Sequence, residues 1–196
     1  MSSERIDPYV YTGTNVLRNR LGTRDSDELS RFEADVTSRR IQQLERRPQK
    51  GHFDASHLRA IHRHIFQDVF EWAGEFRTVD IARGGQFYFA YVHRIDACLD
   101  DLFGKLKAER FLKDADEATF LTRLAFYFGE LNAVHPFREG NGRTQREFIR
   151  EIALQSNRRL HWRNATREQV YAASHLSFQR ADYSGLMRVL STALER

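Results

Sequence analysis

The chain has 196 residues, of which 41% are hydrophobic and 12% aromatic, enough for one folded domain with a substantial core. Its net charge of +4 is small and its basic residues are dispersed, which disfavours a nucleic-acid-binding protein. No apolar run approaches the roughly 18 residues of a membrane span, and the N-terminus lacks a signal-peptide core. A single cysteine, Cys98, forms no intrachain disulfide, so we expect a cytoplasmic protein.

The chain opens with a polar segment that we expect to form an irregular N-terminal arm over residues 1–24, with the main domain over 25–196. Apolar periodicity predicts a first helix over 26–46, capped by Asp25 or Ser26. A second helix follows Asp54, which is a plausible N-cap.

Three histidines lie on this second helix, at His57, His62 and His64. They lack the i,i+4 spacing of a helical metal site, and no His-Glu-x-x-His motif is present. The pattern therefore favours structural histidines over a metal cluster.

Residues 78–92 change character, since two β-prone runs are joined by Gly84-Gly85 and predict a hairpin. The remaining helices are predicted at 92–109, 115–133, 141–156, 166–178 and 181–193. The fold class is therefore all-α, with about seven to eight helices and one small β-hairpin.

The stretch from His135 to Arg146 is the most informative part of the sequence. The apolar helix before it must end near His135, because Pro136 disfavours helical backbone in the preceding residue. Gly140 and Gly142 allow the backbone to approach a ligand, and a second helix starts near Asn141.

The start of that second helix is suited to phosphate. Helix N-termini carry unpaired N–H groups and a positive dipole end, here at Asn141, Gly142 and Arg143. Arg143 and Arg146 are three residues apart and share a helix face. Guanidinium groups form paired hydrogen bonds with phosphate oxygens, so the two side chains are suited to clamp a polyphosphate.

Two further side chains complete the set. Glu139 is a hard oxygen ligand of the kind that Mg²⁺ uses together with phosphates. His135 has an ordinary pKa near 6.5 and accepts a proton near neutral pH. Each feature alone is commonplace, since Glu139 and Arg143 form an ordinary i,i+4 ion pair and Gly-Asn-Gly is a turn signal. Together these residues provide the groups needed to bind a nucleotide with its Mg²⁺ ion.

The segment resembles the signature of the Fic family, His-x-Phe-x-Asp/Glu-Gly-Asn-Gly-Arg-x-x-Arg. All eight specified positions match, at His135, Phe137, Glu139, Gly140, Asn141, Gly142, Arg143 and Arg146. Upstream, residues 71–81 are similar to the family's Trp-Ala-Gly and Arg-Thr segment.

This resemblance implies a protein adenylyltransferase, which transfers AMP from ATP to a hydroxyl side chain of another protein. His135 would deprotonate the hydroxyl, and Glu139 would hold Mg²⁺ between the α- and β-phosphates. Buried Phe137 would anchor the loop.

The resemblance also assigns the phosphate contacts. Gly140, Asn141 and Gly142 would cradle the phosphates. Arg143 would contact the β- and γ-phosphates, and Arg146 the γ-phosphate.

The hairpin corresponds to the family's flap, which holds the target by strand-like pairing. The residues implied are Gln86, Phe87, Tyr88 and Phe89. Phe87 and Phe89 would either hold the modified side chain or pack the flap against the body.

Family members are commonly inhibited by a helix with the pattern Ser/Thr-x-x-x-Glu-Gly/Asn, whose glutamate pairs with the second motif arginine, here Arg146. No match precedes the motif, and the match at residues 191–195 is followed by Arg196. The resemblance therefore implies a toxin with a separate small antitoxin. By analogy, its targets would be the ATPase subunits of DNA gyrase or of topoisomerase IV.

Two alternatives remain open on the sequence. One is phosphotransfer, or transfer of another nucleotide-derived group, on the same fold. The other is a non-catalytic basic helical protein that binds nucleic acid or a partner.

Overall fold

The computed structural model describes residues 7–84 and 87–195, and α-helices form most of that part. The helices are Ser26–Arg46 (α1), Ala55–Phe66 (α2), Ile95–Ala108 (α3), Glu117–Val134 (α4), Asn141–Gln155 (α5), Arg167–Arg180 (α6) and Ser184–Ala193 (α7). Two short strands, Ala82–Arg83 (β1) and Phe87–Tyr88 (β2), pair antiparallel. The predicted helical fold with one small hairpin is confirmed. None of the described helices has the length and apolar character needed to cross a bilayer.

Side-chain caps define several helix starts. Four helices begin behind a side chain that accepts a backbone N–H, at Asp25, Asp54, Asp116 and Thr166. Such caps typically stabilise a helix by about 1 kcal/mol. The cap of α1 is Asp25 rather than Ser26, and the predicted cap at Asp54 is confirmed. Helix α5 has no side-chain cap, which matters for the site below.

Two helices start three residues later than predicted. The helix predicted from residue 92 begins with a 3₁₀ turn, Val92–Arg94, before α3. The helix predicted from 181 begins at Ser184, because Ala181 has left-handed backbone with φ 51°. In addition, the Asp182 carboxylate accepts the N–H of Ser184 at 2.9 Å, an alternative to helical pairing.

Helix α4 is central to the core. It packs against α3, α5, α6 and α7, and Phe120, Leu124 and Ala125 on it are fully buried. Because neighbours surround it, α4 lacks a continuous polar face. The turn between α4 and α5 carries the motif and is therefore anchored on both sides by buried helices.

The described part of the N-terminal arm, residues 7–24, lies against the body. Tyr9 is buried, and its hydroxyl accepts the backbone N–H of Thr78 at 3.1 Å. Asp7 pairs with Arg138 at 2.8 Å. The arm thus contacts both the start of the hairpin segment and the motif loop.

Candidate active site

His135 lies at the junction of α4 and the motif loop. Helix α4 ends at Val134, and His135 takes left-handed backbone with φ 49° and ψ 60°, so the helix stops where Pro136 requires. The ring Nδ1 lies 3.2 Å from the carbonyl oxygen of Asn132. A proton on Nδ1 satisfies that carbonyl and leaves the lone pair on Nε2 to accept a proton.

The ring of His135 is covered by the flap. Phe89 stacks on it with ring centroids 3.9 Å apart and planes 16° apart. Burial lowers the pKa of His135 to about 3, although the Asn132 carbonyl opposes the change, and the charges of Arg83 and Arg77 add to it. The imidazole is therefore neutral at pH 7, the form that can act as a base. Phe89 packs the flap onto the site.

The motif loop is anchored by two buried aromatic side chains. Phe137 is 1% exposed and stacks on His62, with centroids 3.8 Å apart. His62 Nδ1 accepts the N–H of Gly74 at 2.8 Å, so its Nε2 donates to the carbonyl oxygen of Glu139 at 3.1 Å. Burial lowers the pKa of His62 to about 3, which keeps it neutral. His62 is thus a structural support of the loop.

Asn141 and Gly140 shape the turn into α5. The side chain of Asn141 accepts the Phe137 N–H at 3.0 Å and donates to the Phe137 carbonyl at 2.7 Å. Its amide therefore closes the loop, and only its backbone N–H remains for a ligand. Gly140 has φ 81°, and a Cβ there would lie 2.3 Å from Cζ of Phe66. Only glycine fits this position.

The N-terminus of α5 opens into a cavity of about 720 Å³. Because α5 has no side-chain cap, the N–H groups of Asn141, Gly142 and Arg143 have no hydrogen-bond acceptor within residues 7–84 and 87–195. Gly142 lines the cavity, where a Cβ would meet only Arg146 Nη1 within 4 Å. The cavity is thus floored by uncapped N–H donors, an arrangement that suits an anion.

The first motif arginine, Arg143, is held by α1. It hydrogen-bonds to the Glu33 carboxylate, and its Nη1 donates to Thr37 Oγ1 at 3.2 Å. Its guanidinium carbon lies 4.7 Å from the ring centroid of Phe66. Sequence reasoning missed Glu33, because no local pattern links residues so far apart.

The second motif arginine, Arg146, has a different environment. In the part of the chain that the structure describes, its guanidinium has no hydrogen-bond acceptor and no carboxylate partner. Burial, together with the charges of Arg143 and Arg167, lowers the pKa of Arg146 to about 10. Its charge faces the cavity uncompensated, so an anion there would be stabilised.

Glu139 lines the same cavity with a side chain that is 45% exposed. One oxygen accepts the N–H of Gly140 at 2.8 Å and lies 3.7 Å from Arg143 Nη2. Among the described residues, no group of three or more metal-ligating side chains forms a metal site. A single carboxylate beside a phosphate site fits Mg²⁺, which takes its other ligands from phosphate and water.

Arg77 is a supporting residue whose role the sequence did not reveal. Its side chain is fully buried and donates to main-chain carbonyls of His135 at 2.9 Å, Val79 at 2.9 Å, Val134 at 3.3 Å and Ala90. It thus connects both ends of the flap segment to the catalytic turn. The available signal was its place in the Arg-Thr segment upstream of the hairpin.

The flap residues divide into two groups. Phe87 and Tyr88 on β2 are 49% and 56% exposed, whereas Phe89 is 7% exposed. Gln86, which the sequence also assigned to target binding, lies outside the described residues.

Comparison with known proteins extends the assignment. The family model for the Fic/DOC family matches residues 52–153. The chain is 39% identical over 172 residues to protein adenylyltransferase VbhT of Bartonella schoenbuchensis, covering 88% of this chain and 36% of VbhT. It is 36% identical to the probable protein adenylyltransferase Fic of Escherichia coli K12, covering 98% of this chain and 90% of the relative.

A solved structure is also similar. The N-terminal Fic domain of a putative cell filamentation protein from Bartonella quintana, with bound ADP, superposes with a TM-score of 0.91. The two chains are 27% identical, and the match covers 95% of this chain and 94% of the other. Relatives of this chain are named protein adenylyltransferases. The chain belongs to the Fic/DOC family.

Proposed function

We propose that this protein transfers AMP from ATP to a hydroxyl side chain of a protein target. The observation that carries the proposal is one cavity that joins a neutral His135 to the uncapped start of α5 and to Arg146. In the reaction, the target oxygen forms a bond to the α-phosphorus. The bond from that phosphorus to the bridging oxygen breaks, and its electron pair leaves with pyrophosphate.

His135 takes the proton of the hydroxyl on Nε2. The contact between Nδ1 and the Asn132 carbonyl supports this tautomer and fixes the ring orientation. A nearby phosphate raises the proton affinity of the ring, because negative charge favours the imidazolium form. A positioned base of this kind contributes about 10²–10⁴ in rate.

The phosphates bind at the N-terminus of α5. Backbone N–H groups of residues 141–143 hydrogen-bond to the phosphate oxygens, and Arg146 neutralises the terminal phosphate. Arg143 reaches the same group from its anchored position beside Glu33. These donors are preorganised, so they stabilise the charge that develops on pyrophosphate with little reorganisation.

Glu139 is the residue that would hold Mg²⁺ against the phosphates. When bound, the ion neutralises charge on the leaving pyrophosphate. The hydrogen bond from Gly140 to one carboxylate oxygen orients the other oxygen for this role.

The test uses ATP labelled separately on the α- and γ-phosphates. Label from α-labelled ATP should appear on protein, and His135→Ala should lower its transfer by about 10²-fold or more while nucleotide binding persists. His52→Ala is the control, since His52 is exposed and lies away from this cavity. Retention of label from γ-labelled ATP alone would identify a phosphotransferase instead.

The target would approach along the flap. Exposed Phe87 and Tyr88 offer apolar contacts, and β1 and β2 offer a strand edge for backbone pairing with an extended segment. The ATPase subunits of DNA gyrase and of topoisomerase IV are the targets proposed by analogy. Mass spectrometry of a lysate treated with ATP and the protein would identify the modified residue.

The proposed location is the cytoplasm, since a reducing compartment suits the lone Cys98.

A separate antitoxin is the proposed regulator. Arg146 has no carboxylate partner among the described residues, and Glu195 lies instead near His161, at 3.4 Å. A glutamate from a partner helix would satisfy Arg146 and displace the terminal phosphate. Co-expression with the genomic neighbour should relieve growth arrest and reduce adenylylation; equal growth with and without it would contradict this role.

A further inference from the structure

Arg83, the last residue of β1, forms part of the cavity wall and lies outside the motif. Its guanidinium carbon lies 5.2 Å from the ring centroid of Tyr171 and 5.7 Å from those of Phe89 and Phe178. Three aromatic rings therefore surround one cation. The rings of Tyr171 and Phe178 belong to α6, so this cation bridges the flap and the opposite wall of the cavity.

The guanidinium is incompletely satisfied. Arg83 Nη1 is buried and has no hydrogen-bond partner among the described residues. A buried donor without an acceptor is uncommon in folded proteins and requires an explanation. The rings attract the positive charge but supply no strong acceptor. Among the described residues, Nε and Nη2 of Arg83 also have no acceptor, and Arg83 lines the cavity, so these N–H groups remain for a ligand there. A guanidinium fork is suited to phosphate oxygens.

The position of Arg83 selects one phosphate. Phe89, which contacts Arg83, also stacks on His135 at 3.9 Å. Burial is the main cause of the lowered pKa of His135, and the charge of Arg83 contributes to it, which indicates that the two groups are close. The phosphorus that is attacked must lie beside the base. Arg83 is therefore at the α-phosphate end of the cavity, whereas Arg146, on α5, is assigned to the terminal phosphate.

We propose that Arg83 is a catalytic residue that donates hydrogen bonds to a non-bridging oxygen of the ATP α-phosphate. The inference rests on the proposed function. The target oxygen bonds to the α-phosphorus, pyrophosphate leaves with the electron pair of the broken bond, and the hydroxyl proton passes to His135. Charge on the non-bridging oxygens is stabilised by Arg83 during this step.

The experiment compares ATP with the two diastereomers of ATPαS, in which sulfur replaces one non-bridging α-oxygen. Arg83→Gln should lower kcat by about 10²–10³-fold, as expected for removal of one preorganised donor, and should change the KM for ATP far less. The variant should also lose the preference between diastereomers that this contact produces. Arg83→Lys should recover part of kcat, since it keeps the charge without the fork. Arg180→Gln, an exposed arginine on α6, controls for net charge.

Two results would overturn the proposal. One is an unchanged kcat in Arg83→Gln. The other is a lower kcat with the wild-type ratio between diastereomers, which would mean that Arg83 only holds the flap. Should Arg83→Gln fail to fold, the diastereomer ratio of Arg83→Lys decides in the same way. Failure of the proposed function is distinguishable, because the wild-type protein would then transfer no AMP at all.

Discussion

Arg77→Lys tests how the buried core of the site orients the catalytic turn. Arg77 donates to four main-chain carbonyls, two of them at Val134 and His135 and two in the flap segment. Lysine keeps the charge but carries its donors on one nitrogen, so it reaches about two of the four acceptors. The variant should therefore release His135 and the flap without changing α5.

The magnitude follows from the unsatisfied carbonyls. Each buried acceptor left without a partner costs about 1–3 kcal/mol, so the loss of two should lower the free energy of unfolding by about 2–6 kcal/mol. For a chain of this size, that corresponds to a fall in Tm of roughly 4–24 °C. Misplacement of a catalytic group by about 1 Å can reduce rate about 10²-fold, so kcat should fall. The KM for ATP should change little.

Thermal and urea denaturation measure the first effect, and AMP transfer measured against ATP concentration gives the second. Arg39→Lys is the matched control, because Arg39 forms an exposed i,i+4 pair with Asp35 and should change stability by about 0.5 kcal/mol or less. A variant at Arg77 with wild-type Tm and kcat would refute the reasoning. A selective rise in the KM for ATP would also refute it, since that locates the effect at α5.

Gly140→Ala should abolish nucleotide binding and lower the free energy of unfolding by about 2–5 kcal/mol, because left-handed backbone and a Cβ 2.3 Å from Phe66 both oppose it. Gly13→Ala is the control for the cost of left-handed backbone alone, because Gly13 has φ 76° and open space where a Cβ would lie. Equal losses of nucleotide binding, measured by calorimetry, and of stability in the two variants would contradict the steric argument. His62 and His135 have pKa values lowered to about 3 by burial. Between about pH 6.5 and 3, the unfolded chain binds protons there that the folded chain does not, so stability is full above pH 6.5 and falls as pH decreases. His62→Gln should reduce the change of unfolding free energy with pH by up to about 1.4 kcal/mol per pH unit, measured by urea denaturation at pH 7 and 5. The same pH dependence in the variant and the wild type would contradict the assignment of a buried, neutral His62.

The local architecture of the site follows from adjacent residues. Pro136 and the left-handed Gly140 set the end of α4 and the start of α5, and both are readable in twelve consecutive residues. The family assignment, the helical class and the hairpin were predicted from the same kind of local pattern, and all three are confirmed.

The residues that hold the site in place could not be predicted from local sequence patterns. Arg143 pairs with Glu33, which is 110 residues away, and Arg77 bonds to carbonyls on both sides of the flap. Neither contact leaves a periodic or spaced pattern, because each depends on how α1 and the flap pack against the α4–α5 turn. His57 and His62 lie on the same helix, and the sequence gave no basis for assigning them different roles. In the structure, His57 pairs with Glu151, whereas His62 supports the motif loop.

The sequence by itself therefore determined the local grouping of the candidate site, because a helix–turn–helix segment brings His135, Glu139 and the N–H groups at the start of α5 together within one short stretch. Only the tertiary structure decided which of these groups are free. Packing paired Arg143 with the Glu33 carboxylate and covered His135 with Phe89. It left the guanidinium groups of Arg146 and Arg83 without acceptors among the described residues. The physical reason is that charge compensation and burial depend on neighbours that the chain brings together only when it folds.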